Sequence, residues 1–237
     1  MGSMRRSRSW VWLLCGLVLV LVAAVLWGVD LFQQGQARDQ ARAHGTVSVD
    51  SEGKKAAPTP TQTYQNEKCS GPVSSPGVSG LKPNQWSIPS IHQSASFQDD
   101  EHGTAPVLPD APGGVRYGPS MPVGSGQGAT VLAGHVDYGP GVLSVNGGEL
   151  SPWGHLHDAS PCDAMVVTDM KGKAHQYRVT AMYTRDQDQL PKSELFRSTG
   201  SPAVYLVTCS GPSTQDAGGK FQFNYKYNLI IKAEPVG

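Results

Sequence analysis

The chain is expected to fold as an all-β domain, closed or nearly closed into a barrel. Short apolar runs rich in β-branched residues recur past residue 84, and clusters of Gly, Pro, Asp and Ser separate them. Long helical periodicity is absent from the same region. Setting aside an apolar N-terminal run and a polar stretch after it leaves about 150 of the 237 residues, the size of one ordinary domain.

The expected strands, in order, are residues 86–91, 130–135, 164–169, 174–183, 203–209 and 223–233. Met165-Val166-Val167 and Tyr177-Arg178-Val179 flank Met170-Lys171-Gly172-Lys173, which reads as a hairpin turn. Only residues 153–158 and 192–196 are suited to a helical turn or two. Composition and pattern carry the fold no further than an all-β barrel.

The first nine residues read as a cytoplasmic N-terminus carrying Arg5, Arg6 and Arg8 without an acid. Residues 10–29 form a run of 20 without a charge. At 1.5 Å per residue it spans about 30 Å, the thickness of a hydrocarbon core. Trp10, Trp12 and Trp27 lie near its ends, as interfacial anchors do, and the arginines ahead of it direct the rest of the chain outside. The competing reading is a cleavable signal peptide with Val22-Ala23-Ala24 as its small-residue site. The run continues past that site, which favours an uncleaved single-pass anchor; both readings export the domain. Residues 30–83 read as a flexible extracellular linker, rich in Pro, Ser, Thr and Gly and poor in large apolar residues. Residues 84–237 are expected to form the folded extracellular domain. The formal net charge is zero, and no basic stripe points to nucleic acid.

Cys15 lies in the membrane run, whereas Cys69, Cys162 and Cys209 lie outside it, where disulfides persist. Three is odd. If Cys69 and Cys162 pair, Cys209 remains as a free thiol; the alternative places Cys209 itself in a structural disulfide. Cys209 ends the run Val204-Tyr205-Leu206-Val207-Thr208-Cys209. His135 ends a similar run, Thr130-Val131-Leu132-Ala133-Gly134-His135. Each strand delivers a reactive side chain where sheet meets loop. Thiol and imidazole together are the minimum for acyl transfer, with the thiolate as nucleophile.

The segments 132–137 (LAGHVD) and 206–212 (LVTCSGP), followed by the terminal strand 225–233 (YKYNLIIKA), resemble the sortases, the cysteine transpeptidases of Gram-positive bacteria. Within that family they look most like the actinobacterial class F, with class E next. The resemblance runs over roughly residues 84 to 233. It implies an eight-stranded barrel with cysteine and histidine on neighbouring strands at one end. It also implies cleavage of a Leu-Pro-x-Thr-Gly-like sorting signal (Leu-Ala-x-Thr-Gly for class E) through a thioacyl intermediate on Cys209. His135 would protonate the leaving amine and then deprotonate the incoming one. No cofactor or metal is implied. The implied partners are surface proteins bearing a C-terminal sorting signal, a peptidoglycan-precursor amine and the membrane.

The third group, a cation that steadies the oxyanion, departs from the pattern. The family reads Tyr-Arg-Asp-Asn where this chain reads Tyr225-Lys226-Tyr227-Asn228. Lys226 offers a mobile point charge in place of an arginine's planar fork. Three readings stand: Lys226 serves as a weaker oxyanion group; Arg185, or else Arg116, takes over; or the domain is a degenerate sortase that binds or scaffolds with weak or no transpeptidase activity. Thr208, Tyr117 and Tyr138 are candidate substrate contacts. Asp137 either orients the His135 ring or caps a turn. His155 and His157, with Asp158 adjacent, lack an evident third metal ligand and read as a surface loop. Other cysteine enzymes fit less well. An L,D-transpeptidase would need a Ser-x-Gly-Cys-type motif, and a papain-like peptidase puts its cysteine ahead of its histidine.

Overall fold

The computed structural model describes residues 48–49, 55–71, 80–100, 108–138, 142–144, 148–214 and 224–236. The expected membrane run and most of the expected linker lie outside the described residues. Among those described, no helix is long and apolar enough to cross a membrane.

Ten strands are formed: β1 (Ser48–Val49), β2 (Lys55–Ala57), β3 (Gln85–Ile88), β4 (Gln93–Asp99), β5 (Gly114–Arg116), β6 (Ala129–Gly134), β7 (Ala164–Thr168), β8 (Ala174–Asp186), β9 (Ala203–Thr214) and β10 (Asn224–Pro235). Eight of them close in the order β9-β10-β8-β7-β3-β4-β5-β6, with β6 returning to β9. Closure removes the open edges that would otherwise template aggregation. The β4–β5 and β6–β9 pairs are parallel and the other pairs antiparallel.

The apolar runs are nearly continuous because part of the barrel is covered on both faces. Along β9, Val204 and Leu206 point into a core with Trp86, Ile88, Leu132, Trp153, Leu229 and Ile231. Ala203, Tyr205 and Val207 point outward, where they pack with Val131, Tyr183, Ile230 and Leu195. Leu195 comes from a one-turn helix, α1 (Lys192–Leu195). A strand buried on both faces loses polar alternation, which is why these strands stand out as solid apolar runs. The β7–β8 hairpin turns where expected. Asp169 Oδ1 accepts from the backbone N–H groups of Lys171 and Lys173, both at 2.9 Å, and Gly172 takes φ +80°.

Several features differ from the expectation. β4 and β5 were not anticipated: in Gln93–Asp99 only Ala95 and Phe97 are buried, and Gly114–Arg116 is three residues long. β9 continues five residues past Cys209, to Thr214. The largest correction concerns the linker. Residues 55–71 lie along the barrel as a strap. Ala56 and Ala57 pair with Pro212 and Gly211 on β9, and Tyr64 bridges Met182 on β8. Cys69 is then joined to Cys162 by a disulfide (S–S 2.07 Å). Backbone ladder bonds, the buried Ala57, the half-buried Tyr64 and a covalent link offset the ordering entropy that the polar composition alone does not.

Candidate active site

His135 and Cys209 meet because β6 and β9 run parallel and in register. Ala133 pairs with Val207, so His135 and Cys209 each stand two positions beyond a paired couple. They share a face, since side chains alternate with period two. The junction is stapled from the opposite face. Thr208 Oγ1 donates to the Gly134 carbonyl at 2.9 Å, tying the cysteine strand to the histidine strand. The Ser151 hydroxyl donates to the His135 carbonyl, and the Ser151 N–H to the Val136 carbonyl at 3.0 Å. Trp153, fully buried, lies flat against Gly134: a Cβ there would sit 2.2 Å from the indole ring. The glycine before His135 is therefore a requirement of packing. Trp153 Nε1 donates in turn to the Pro112 carbonyl at 3.0 Å, which holds the loop that faces the histidine.

The thiol and the ring are both held toward their neutral forms. Burial, helped by the Asp137 charge, pushes the Cys209 pKa up to about 11. Cys209 packs against Ala57, Val136, Leu150 and Tyr225, so the strap's Ala57 belongs to the wall around the sulfur. Burial also lowers the His135 pKa; Asp137, Asp110 and a backbone hydrogen bond with Leu108 pull the other way without overcoming it. Asp137 thus acts on both groups. Its Oδ2 accepts from the Tyr225 hydroxyl at 2.5 Å, and Tyr225 is held well above its ordinary pKa, first by burial and then by that bond. The pair fixes the carboxylate beside the thiol.

The remaining site candidates fall at different places. Lys226 is fully exposed, and its Nζ lies 5.1 Å from the centroid of the Tyr227 ring. Alternation puts it on the face of Asn228 and Ile230. Arg185 lies in the same cross-strand row as Cys209, two strands away. Asn228 on β10 pairs with Cys209 on one side and with Arg185 on the other. The Arg185 guanidinium sits 4.6 Å above the buried Tyr183 ring. Arg116 is buried and committed to Asp99 and to the Ser120 carbonyl at 2.7 Å, so it braces the barrel away from the thiol. Thr208 is buried on the face opposite Cys209 and acts as the staple described above, which removes it from the substrate side. Tyr117 is half-buried against Phe196, with ring centroids 4.7 Å apart, on the outer apolar face that leads to Cys209. Tyr138 is half-buried just beyond Asp137. His155 and His157 both approach Asp158, at 3.6 and 3.1 Å, across a short 3-10 turn (Gly154–Asp158). No group of three or more metal-binding side chains is present among the described residues. Cys209 is the free thiol of the described cysteines.

Three residues of this site were not singled out in the sequence: Tyr225, Asn228 and Ala57. For Asn228 a signal existed. An asparagine inside an apolar strand, as in Tyr227-Asn228-Leu229-Ile230, opposes β propensity and asks for a reason. Ala57 carried no signal, because its position follows from strap pairing.

A sortase domain model matches residues 87–236. No match is found among curated proteins. Among solved structures, the chain is similar to sortase C from Clostridium perfringens SM101, with 19% identity, a TM-score of 0.45, and coverage of 67% of this chain and 71% of that one. It is similar to sortase C-1 from Actinomyces oris, with 20% identity, a TM-score of 0.43, and coverage of 67% and 76%. It is also similar to sortase A from Corynebacterium diphtheriae, with 19% identity, a TM-score of 0.44, and coverage of 65% and 60%. The domain match takes in both reactive strands and the closed eight-stranded barrel around them, and on it the chain belongs to the sortase family.

Proposed function

We propose that this chain is a membrane-anchored transpeptidase that cleaves a Leu-Pro-x-Thr-Gly-like sorting signal and transfers the acyl group to a cell-wall amine. The observation that carries the reading is the parallel β6–β9 register, which sets an imidazole beside a free thiol on one face. The Cys209 thiolate attacks the threonine carbonyl carbon. The C–S bond forms, and the carbonyl π pair moves onto oxygen. As the C–N bond breaks, protonated His135 gives its proton to the departing glycine nitrogen. The incoming amine reverses the sequence and releases the enzyme. The membrane anchor at residues 10–29, with the domain outside, puts this chemistry at the outer membrane face. Class F is the reading favoured for the signal, with class E next.

Of the two cations, Arg185 has the better position. It stands one strand beyond Asn228 in the row that contains Cys209, over a buried ring where charge is less screened. Lys226, fully exposed, is screened by solvent. The departure at Lys226 and the high thiol pKa favour the second reading, a barrel that binds sorting peptides and turns over weakly. A panel of fluorogenic sorting peptides, incubated with the soluble domain with and without amine acceptors, separates them. Acceptor-dependent transfer is the expected result. Binding without cleavage of any peptide selects the scaffold.

A further inference from the structure

Across four neighbouring strands, His135, Cys209, Asn228 and Arg185 form one row on the outer face. Below that row the face is apolar: Val131, Val207, Ile230 and Tyr183. Asn228 is the anomaly. It sits inside β10, a strand paired on both sides, where asparagine is disfavoured. It is half-buried, and among the described residues no side chain hydrogen bond engages its amide. Directly opposite residues of an antiparallel pair hold their Cβ atoms about 4.5–5.5 Å apart, so the Asn228 side chain stands within reach of the Cys209 sulfur.

We infer that Asn228 is a catalytic residue whose side-chain N–H donates to the oxygen that becomes negative when Cys209 attacks a carbonyl. A carboxamide carries two donors and no charge. It can stabilise an oxyanion without stabilising the resting thiolate as strongly as a cation would. That matches a site where the thiol is kept neutral until attack. Arg185, on the far side of Asn228, is placed to hold the peptide chain beside that row.

This assignment rests on the sortase reading only through Cys209, and its test does not need a sorting peptide. The probes are p-nitrophenyl acetate and iodoacetamide, used on the full chain at pH 9. With the ester, the thiolate attacks the acetyl carbon, an oxyanion forms, and p-nitrophenolate leaves with its electron pair. With iodoacetamide, the sulfur displaces iodide at a saturated carbon and no oxyanion arises. Asn228→Ala and Asn228→Val should slow ester acylation tenfold or more; loss of one oxyanion donor commonly costs about 10²–10³-fold. Alkylation should change less than threefold. Valine suits the strand, so loss of fold does not confound the pair. Asn228→Asp, of equal size but with acceptors only, should lose more acylation than either. Equal slowing of both reactions, or of neither, overturns the assignment. A parent thiol that reacts with neither reagent overturns it together with the nucleophile role of Cys209. Failure of the parent on all sorting peptides, with the ester result as expected, overturns the transpeptidase reading alone.

Discussion

Cys209 should behave as a weakly ionised thiol whose reactivity rises with pH far beyond neutrality. Its pKa is pushed up to about 11 by burial among Ala57, Val136, Leu150 and Tyr225, with the Asp137 charge adding to the effect. Relative to a thiol at the ordinary value of 9.0, the thiolate fraction at pH 7 falls about 100-fold, to roughly one molecule in 10⁴. The higher basicity restores part of the loss. With a Brønsted slope of about 0.4–0.5, two units raise intrinsic nucleophilicity about eightfold. The net expectation is alkylation by iodoacetamide about tenfold slower than for an ordinary thiol at pH 7, rising about tenfold per pH unit until it levels near 11. Peptide cleavage needs thiolate and imidazolium together. His135 is lowered and Cys209 raised, so that doubly charged form is a small and nearly constant fraction between the two pKa values. Cleavage should therefore be flat across pH 7–9.5 while alkylation climbs. Asp137→Asn keeps an acceptor for Tyr225 and removes the charge; it should shift the alkylation curve to lower pH. An alkylation rate that levels between pH 6 and 7 would mean a stable thiolate–imidazolium pair and would refute the reasoning.

Gly134→Ala should destabilise the domain by about 1–3 kcal/mol or more, since a Cβ must displace the fully buried Trp153 ring; chemical denaturation of the variant reads this, and unchanged stability would show that the ring yields freely. Arg185→Ala should raise KM for a sorting peptide more than tenfold, whereas Lys226→Ala should change it less than threefold; the reverse ranking in steady-state kinetics would return the cation to the terminal strand. Replacing Cys69 and Cys162 by Ser should loosen the strap and increase Cys209 alkylation several-fold at fixed pH, because Ala57 is part of the sulfur's wall; an unchanged rate would show that the ladder bonds to Gly211 and Pro212 suffice. His135→Ala should cut cleavage about 10²–10⁴-fold, and a loss below tenfold would give the proton to another donor.

The strands that carry His135 and Cys209 were legible because burial on both faces makes them unbroken apolar runs. Cysteine parity pointed to Cys69–Cys162, the bridge the structure forms. β4 was not legible, since its outward positions are Gln and Ser and only Ala95 and Phe97 face the core. The strap was hidden for a different reason. Its order comes from backbone pairing with β8 and β9 and from the disulfide, which composition does not encode. Cross-strand register was also out of reach. Thr208 adjoins Cys209 in sequence yet faces away from its side chain, whereas Asn228 and Arg185 are remote in sequence and share its row. The proposed place of the cation at Arg185 rests on that register, which a motif alignment centred on Lys226 does not carry.

The central claim is covalent catalysis through Cys209, and intact-mass measurement tests it most directly. The soluble domain is mixed with a Leu-Pro-x-Thr-Gly peptide without an amine acceptor and quenched in acid. The parent should gain the mass of the acyl fragment up to threonine, lose it again on addition of an amine, and show no gain as Cys209→Ala. An adduct that persists in Cys209→Ala, or acceptor-dependent transfer with no adduct and undiminished rate in that variant, would contradict the account.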